Sequence, residues 1–296
     1  MAWQRNKRYN DAAIWRGIAD AAAGREQAGR QQMLTAAEKH FGALLDGIDE
    51  KKTYSGTLRY NSKDHTFDPV HGVYARTAHY VYEEQLSLHA QLLAKIAALA
   101  SHTGYLFEYW DAKRVFAKSA DLAVEFMESQ KGGGGSPAFN KLETRQVMAA
   151  VMSLAPLKDE KGNIIKLQNI DDAMAELAEW MMNNGYGDRG LIERTTVETR
   201  KMAETLCDAE LELLGGAFPI WKYRELEKEM VSVDPSLKEG TSLEEHTRLL
   251  ALFKLQGGYK TAAARKEREH MWETNREIIE KFIADQQKQT TFPKPR

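Results

Sequence analysis

Apolar positions along the chain recur mostly at intervals of three and four residues, the period of an amphipathic helix. A first helix is predicted from about Asn10 to Ile48, with Asn10 or Asp11 at its start. Its stripe runs through Ile14, Ile18, Ala21 and Ala28, then shifts to Met33, Ala37, Phe41, Leu44 and Ile48. Gly24 and Gly29 weaken its middle by about 1 kcal/mol each relative to alanine. Asp68-Pro69 supplies an N-cap followed by proline at the first helical position. The stripe Val70, Tyr74, Thr77, Val81, Leu88, Leu92, Ile96 and Leu99 then predicts one helix as far as Ala100. Further helices are predicted over 106–129, 141–153, 169–183, 191–214 and 219–230. Asn184-Gly185 and Gly215-Gly216 act as stops. Thr241 or Ser242, with Glu244 and Glu245 following, starts a helix to Leu255 in capping-box style. Gly257-Gly258 separates it from a long last helix, about Lys260 to Gln289. Ala264, Met271, Asn275, Ile278 and Phe282 give that helix a heptad-like stripe with coiled-coil spacing.

One segment has a strand-like pattern. Thr57-Leu58-Arg59-Tyr60 and Thr66-Phe67 flank Asn61-Ser62-Lys63-Asp64, a hairpin turn sequence. The expected fold class is therefore mainly α: a multi-helix bundle with long N- and C-terminal helices and at most one small β-hairpin, at 52–68.

Composition agrees with a helical globular protein. The chain has 296 residues, 43% hydrophobic and 28% charged, with only seven prolines. That is ample for a buried core. A formal net charge of −2 gives no global field for nucleic acid or an anionic membrane, so such binding requires a local patch. Cys207 is the single cysteine, which excludes an internal disulfide and a cysteine-rich zinc site and fits a cytoplasmic, reducing setting. No secretory h-region follows the basic N-terminus, and no apolar run reaches membrane-spanning length.

Gly132-Gly133-Gly134-Gly135-Ser136 divides the chain into an N-terminal helical region, 1–131, and a C-terminal helical region, 137–296. The five residues form the standard flexible-linker unit and read as an engineered splice. It would replace a loop, an excised membrane segment or the junction of two fused partners. Its reach is at most about 17 Å, so the ends it joins must lie close together.

The candidate chemistry is sparse. Asp64, His65, Asp68 and His71 fall within eight residues and combine imidazole with carboxylate, a suitable ligand set for zinc, manganese or iron. Turn formation and helix capping account for the same residues more simply, so no metal or cofactor is expected. His71, His79 and His89 share the predicted 68–100 helix. On an ideal helix His71 and His89 would stand about 27 Å apart and His79 and His89 about 15 Å, too far for one metal. Glu267 and His270 have the Glu-x-x-His spacing of di-iron bundles, but no second copy exists. Cys207 has acidic neighbours, unlike a reactive thiolate. No nucleophile elbow, phosphate loop or dinucleotide fingerprint occurs.

Two segments point to partners. Residues 249–269 have the outline of a helix-turn-helix, with Lys260, Arg265, Lys266 and Arg268 as its basic residues. Glu267, Glu269 and the length of the second helix favour an αα-hairpin instead. Phe218 and Trp221, in an apolar cluster after Gly215-Gly216, would either dock into the core or anchor a partner. The expected function is a non-catalytic interaction or assembly subunit that binds other protein subunits or its own copies. A nucleic-acid-associated protein, and an enzyme with a site assembled from dispersed residues, are the alternatives.

Overall fold

Helices α1 (28–46), α2 (Val73–Glu83), α3 (Leu88–Ala100), α4 (Ala112–Ser129) and α5 (Lys141–Met152) come first in the chain. Next come a hairpin of β1 (Leu157–Lys158) and β2 (Ile164–Lys166), then α6 (Ile170–Asn183) and α7 (Arg189–Glu210). A short helix α8 (219–224), α9 (Ser242–Gln256) and α10 (Ala262–Thr291) complete the order. The computed structural model describes residues 28–46, 66–68, 72–106, 111–132, 135–161, 164–211, 215–216, 219–224, 228 and 240–291. The mainly α, multi-helix class is as the periodicity predicts.

Helix α3 is the centre. Ala90, Leu92, Leu93, Ala94 and every residue from Ile96 to Ala100 are buried, so it is apolar around most of its circumference. A helix of that kind belongs inside, and its alanines let neighbours approach closely. It packs against α2, α4, α5 and α7. One hydrophobic cluster includes Phe41 of α1, Phe126 of α4, Val147 of α5, Met181 of α6, Leu206 of α7, Phe253 of α9 and Trp272 of α10. It contains residues from both sides of the glycine run.

Sequence-encoded caps set many of the boundaries. Asn140 and Glu143 form a reciprocal capping box on α5, and Thr241 and Glu244 do the same on α9. Asp111 and Asp188 cap α4 and α7 through their carboxylates. Gly185 and Gly257 adopt positive φ just past α6 and α9, as their positions predict.

Three expectations need correction. The helix predicted over 68–100 is two helices. Leu86 N–H donates to the Val81 carbonyl at 3.1 Å, closing a Schellman-type end, and Gln85 takes the left-handed position with φ of 53°. Ser87 then caps α3, its hydroxyl accepting from Ala90 N–H. At the other end α2 begins at Val73 with Gly72 as N-cap, and the Asp68 carbonyl accepts from Gly72 N–H at 2.9 Å. Second, most of the hairpin expected at 52–68 lies outside the described residues, and Thr66 and Phe67 stand in a helical turn. The two-stranded pairing among the described residues is β1–β2 instead.

Third, the buried face of α10 is not the predicted stripe. Ala264, Trp272, Ile279 and Ile283 are buried, whereas Met271, Asn275 and Phe282 are half-buried and Ile278 is 61% exposed. Trp272 meets the rings of Phe253 and Tyr259, which fixes the rotation of the helix. Phe282 stacks on His246 of α9, and Asn275 donates to the Gly216 carbonyl at 3.0 Å. Lys266, Glu273 and Glu280 are exposed, on the face opposite the expected stripe.

Candidate binding sites

The histidines do not converge. His79 meets Glu267 at 3.4 Å, and His89 meets Glu143 at 3.0 Å on a different helix. The hydrogen bond that His89 donates to the Glu143 carboxylate raises the His89 pKa above its ordinary value. His102 is buried, with its Nδ1 3.1 Å from Ser101 Oγ and its Nε2 3.3 Å from Glu210. This has the atoms of a Ser-His-Glu relay, but Ser101 is fully buried and its hydroxyl donates to the Ala98 carbonyl. The group ties the end of α3 to α7, and both Ser101 and His102 are buried in it.

Asp64, His65 and His71 lie outside the described residues, so their relation to Asp68 is not defined. No group of three potential metal ligands occurs among the described residues. Glu267 and His270 share a helix, but Glu267 pairs with His79 and Arg268. Cys207 is fully buried beside Ser153, and burial pushes its thiol well above the usual range.

The 249–269 segment is an αα-hairpin whose second helix has 30 residues. Leu249, Phe253, Tyr259 and Ala264 are buried in it. Of its four basic residues, Arg268 pairs with Glu267 at 3.0 Å and Arg265 reaches the Tyr259 carbonyl at 3.3 Å. Lys266 is exposed, and Lys260 belongs to a different feature described below. Phe218 lies outside the described residues, while Trp221 is 61% exposed.

The turn of this hairpin is held from outside. Asp208 of α7, almost fully buried, accepts from Lys260 N–H at 2.9 Å and from Thr261 N–H and the Thr261 hydroxyl at 2.8 Å. Glu84, just past α2, accepts from Ala263 N–H at 2.8 Å. Two carboxylates thus satisfy the orphan amides at the start of α10. Burial still pushes the Asp208 carboxyl above the usual carboxylate range, against the pull of these donors. Gly215 lies under the Tyr259 ring, where a β-carbon would stand 1.4 Å from the phenolic oxygen, so no other residue fits.

Two concave features stand out beyond the predicted residues. The first is an apolar groove along α5, between α4 and α6. Its middle section is lined by Arg145, Met148, Ala149, Met152, Ala173, Glu176, Leu177 and Trp180 and is shallow, with a volume of about 60 Å³. Sections of about 240 and 340 Å³ continue it in the two directions and share residues with the middle. Arg145 lies over the Trp180 ring, 5.2 Å from its centroid, and Tyr186 packs on the same indole. Charges flank the apolar floor: Asp111, Lys113 and Lys158 towards one end, Asp121, Glu128 and Lys141 towards the other.

The second is a charged cavity of about 360 Å³, open to solvent, between β2, α6, α7 and the α9–α10 turn. Lys166, Asp171, Arg200, Glu204 and Lys260 line it, with Gln168 and Gln256. Asp171 accepts from Arg200 at 2.9 Å and pairs with Lys166 at 3.6 Å, and these contacts, Arg200 first, hold its carboxyl below the usual range.

Sequence reasoning singled out none of the groove residues and only Lys260 of the cavity. A concentration of methionines at 148, 152, 174, 181 and 182 was the available signal for the first. The second draws on four separated segments, and only Arg200 and Glu204, four apart on one helix, were linked in sequence. No family model matches the chain, and neither any curated protein nor any solved structure matches it.

Proposed function

We propose that this chain is a non-catalytic helical interaction subunit whose α4–α6 groove receives an amphipathic helix of a partner protein. The observation that carries this reading is the groove itself: Met148, Met152, Ala149, Ala173 and Leu177 line its middle beside Trp180, with Arg145 and Glu176 among them and further charges towards its two ends. Methionine is unbranched and adaptable and suits a surface that must pack on an incoming side chain. Helix-in-groove recognition uses apolar anchors at i, i+3 or i+4 and i+7. From Ala173 to Asn184, α6 offers about 17 Å of groove wall, or three turns of a bound helix. The mixed charges at its ends would fix the direction of that helix and exclude wrong partners. The reading keeps the chain in the cytoplasm, in line with its buried free thiol.

The test is site-specific photo-crosslinking from position 152 in the native cell, followed by sequencing of the crosslinked segment. The expected product is a partner segment with helical apolar spacing, and it should be lost when Met148→Glu is added without a change in melting temperature. Crosslinks to a second copy of this chain would replace the partner with self-association. Crosslinks that persist in the Met148→Glu protein, or none at all, would overturn the reading. Among the described residues no helix is long and apolar enough to cross a membrane.

A further inference from the structure

We propose that the charged cavity between β2, α6, α7 and the α9–α10 turn binds a small oxyanion-bearing ligand, either a dicarboxylate or a phosphate compound. The proposal is independent of the groove and stands or falls without it.

The argument begins with charge. Three cations, Lys166, Arg200 and Lys260, reach this cavity from three separate elements, against two carboxylates, Asp171 and Glu204. Asp171 is shared between two of the cations, Lys166 and Arg200. Among the described residues the Lys260 ammonium has no hydrogen bond and no ion pair within 4.0 Å, since only its backbone N–H is engaged, by Asp208. Glu204 likewise makes no hydrogen bond or ion pair there, though it lies within electrostatic range of Arg200 and Lys260. Lys260 is thus the cation of the three whose ammonium is not engaged in a direct contact among the described residues, and an anion in the cavity would supply one.

The neutral walls are already committed. Gln168 gives its amide N–H to the Cys207 carbonyl at 2.9 Å. Gln256 gives its own to Gln168 Oε1 at 3.1 Å and to the Gly258 carbonyl at 3.3 Å. The two amides therefore brace the cavity, and recognition falls to the cations. An arginine and two lysines are the usual partners of carboxylate and phosphate oxygens. The volume lies in the range of small-ligand sites, about 300–1,000 Å³.

Glu204 makes the proposal distinctive. Burial, with Asp208 and Glu84 adding to it, pushes its carboxyl above the usual range, while Arg200 and Lys260 act against this. An anion placed beside the same two cations competes with the Glu204 carboxylate for them and favours its protonated form. Binding should therefore take up a proton from solvent.

Isothermal titration calorimetry at constant ionic strength, with inorganic phosphate and succinate as separate probes, tests this. Measurements at mildly acidic pH in two buffers of different ionisation enthalpy report the proton. At least one probe should bind saturably in the millimolar range, and the one that binds better identifies the ligand class. Lys260→Met should weaken binding roughly tenfold or more, the order expected for one charge-assisted hydrogen bond. Its backbone N–H to Asp208 is retained, so the melting temperature should stay put. Lys260→Arg should keep the binding. Glu204→Gln should bind several-fold tighter and lose the proton uptake. Absence of saturable binding for both probes, unaltered affinity in Lys260→Met, or weaker binding in Glu204→Gln would each overturn the proposal.

Discussion

Two helical hairpins in this molecule are closed in opposite ways. Between α4 and α5 the described residues of the connection are tied backbone to backbone. Lys131 and Pro137 form an isolated bridge, Gly132 N–H donates to the Ser136 carbonyl at 2.8 Å, and Ala138 N–H donates to the Gln130 carbonyl at 3.0 Å. These bonds among its described residues run backbone to backbone, and the packing of α4 on α5 holds the ends together. Between α9 and α10 the turn depends on the rest of the molecule: Asp208 and Glu84 reach in from α7 and the end of α2, and Gly215 makes room for Tyr259. A turn held by its own helices tolerates change. A turn held by distant side chains fails when any one of them is lost.

The largest effect should come from Asp208→Ala, which leaves the Lys260 and Thr261 donors buried without an acceptor. A loss of about 3 kcal/mol or more in denaturant-unfolding stability is expected. Asp208→Asn, which keeps an acceptor oxygen, should lose less. If both variants matched the parent, the external clamp would not be what closes the turn. Next, Gly215→Ala forces Tyr259 away from its position and should cost about 1–3 kcal/mol, with changed near-ultraviolet dichroism as Trp272 loses its edge contact. Glu84→Ala removes one acceptor from the first turn of α10, a loss of about 1 kcal/mol in the same assay. At the bottom of the scale, doubling the Gly132–Ser136 loop should cost only about 0.6 kcal/mol of closure entropy. A much larger loss there would show that this loop, too, has partners beyond its own helices. Such tolerance is what a spliced-in linker at this point requires, and we retain that origin as a proposal.

The same contrast explains what was legible in the sequence. Helix starts at Asn140 and Thr241, and stops at Gly185 and Gly257, depend on residues a few positions apart, so local pattern finds them, whereas the helix expected from Leu191 starts at Arg189 behind its Asp188 cap. The break at Glu84–Ser87 contains neither glycine nor proline, and the apolar stripe runs through it without interruption. Only Ser87, three residues before Ala90, hinted at a new cap. The rotation of α10 was read one position off because two adjacent stripes, Met271–Ile278–Phe282 and Trp272–Ile279–Ile283, are both apolar. The choice between them is tertiary, made by Tyr259 and Phe253 against Trp272. The groove and the charged cavity were hidden for the same reason, since each is assembled from side chains that only the packing of α4 to α7 and the α9–α10 turn brings together.

The α4–α5 loop has a consequence for how the protein can be taken apart. Val115, Phe116 and Phe126 of α4 are buried, as are Val147, Ala150 and Val151 of α5, in a helix pair joined only at its tip by the glycine run. Cutting the chain there would remove five residues of tether and none of the core. Each piece would keep an apolar face that water disfavours and that the other piece fits. Co-expressed as separate polypeptides, 1–131 and 137–296 should therefore assemble into one particle with the helical signature of the intact chain, while each alone should aggregate or remain unfolded. Reassembly of the two pieces would place a reporter fused to either new end close to the rim of the groove.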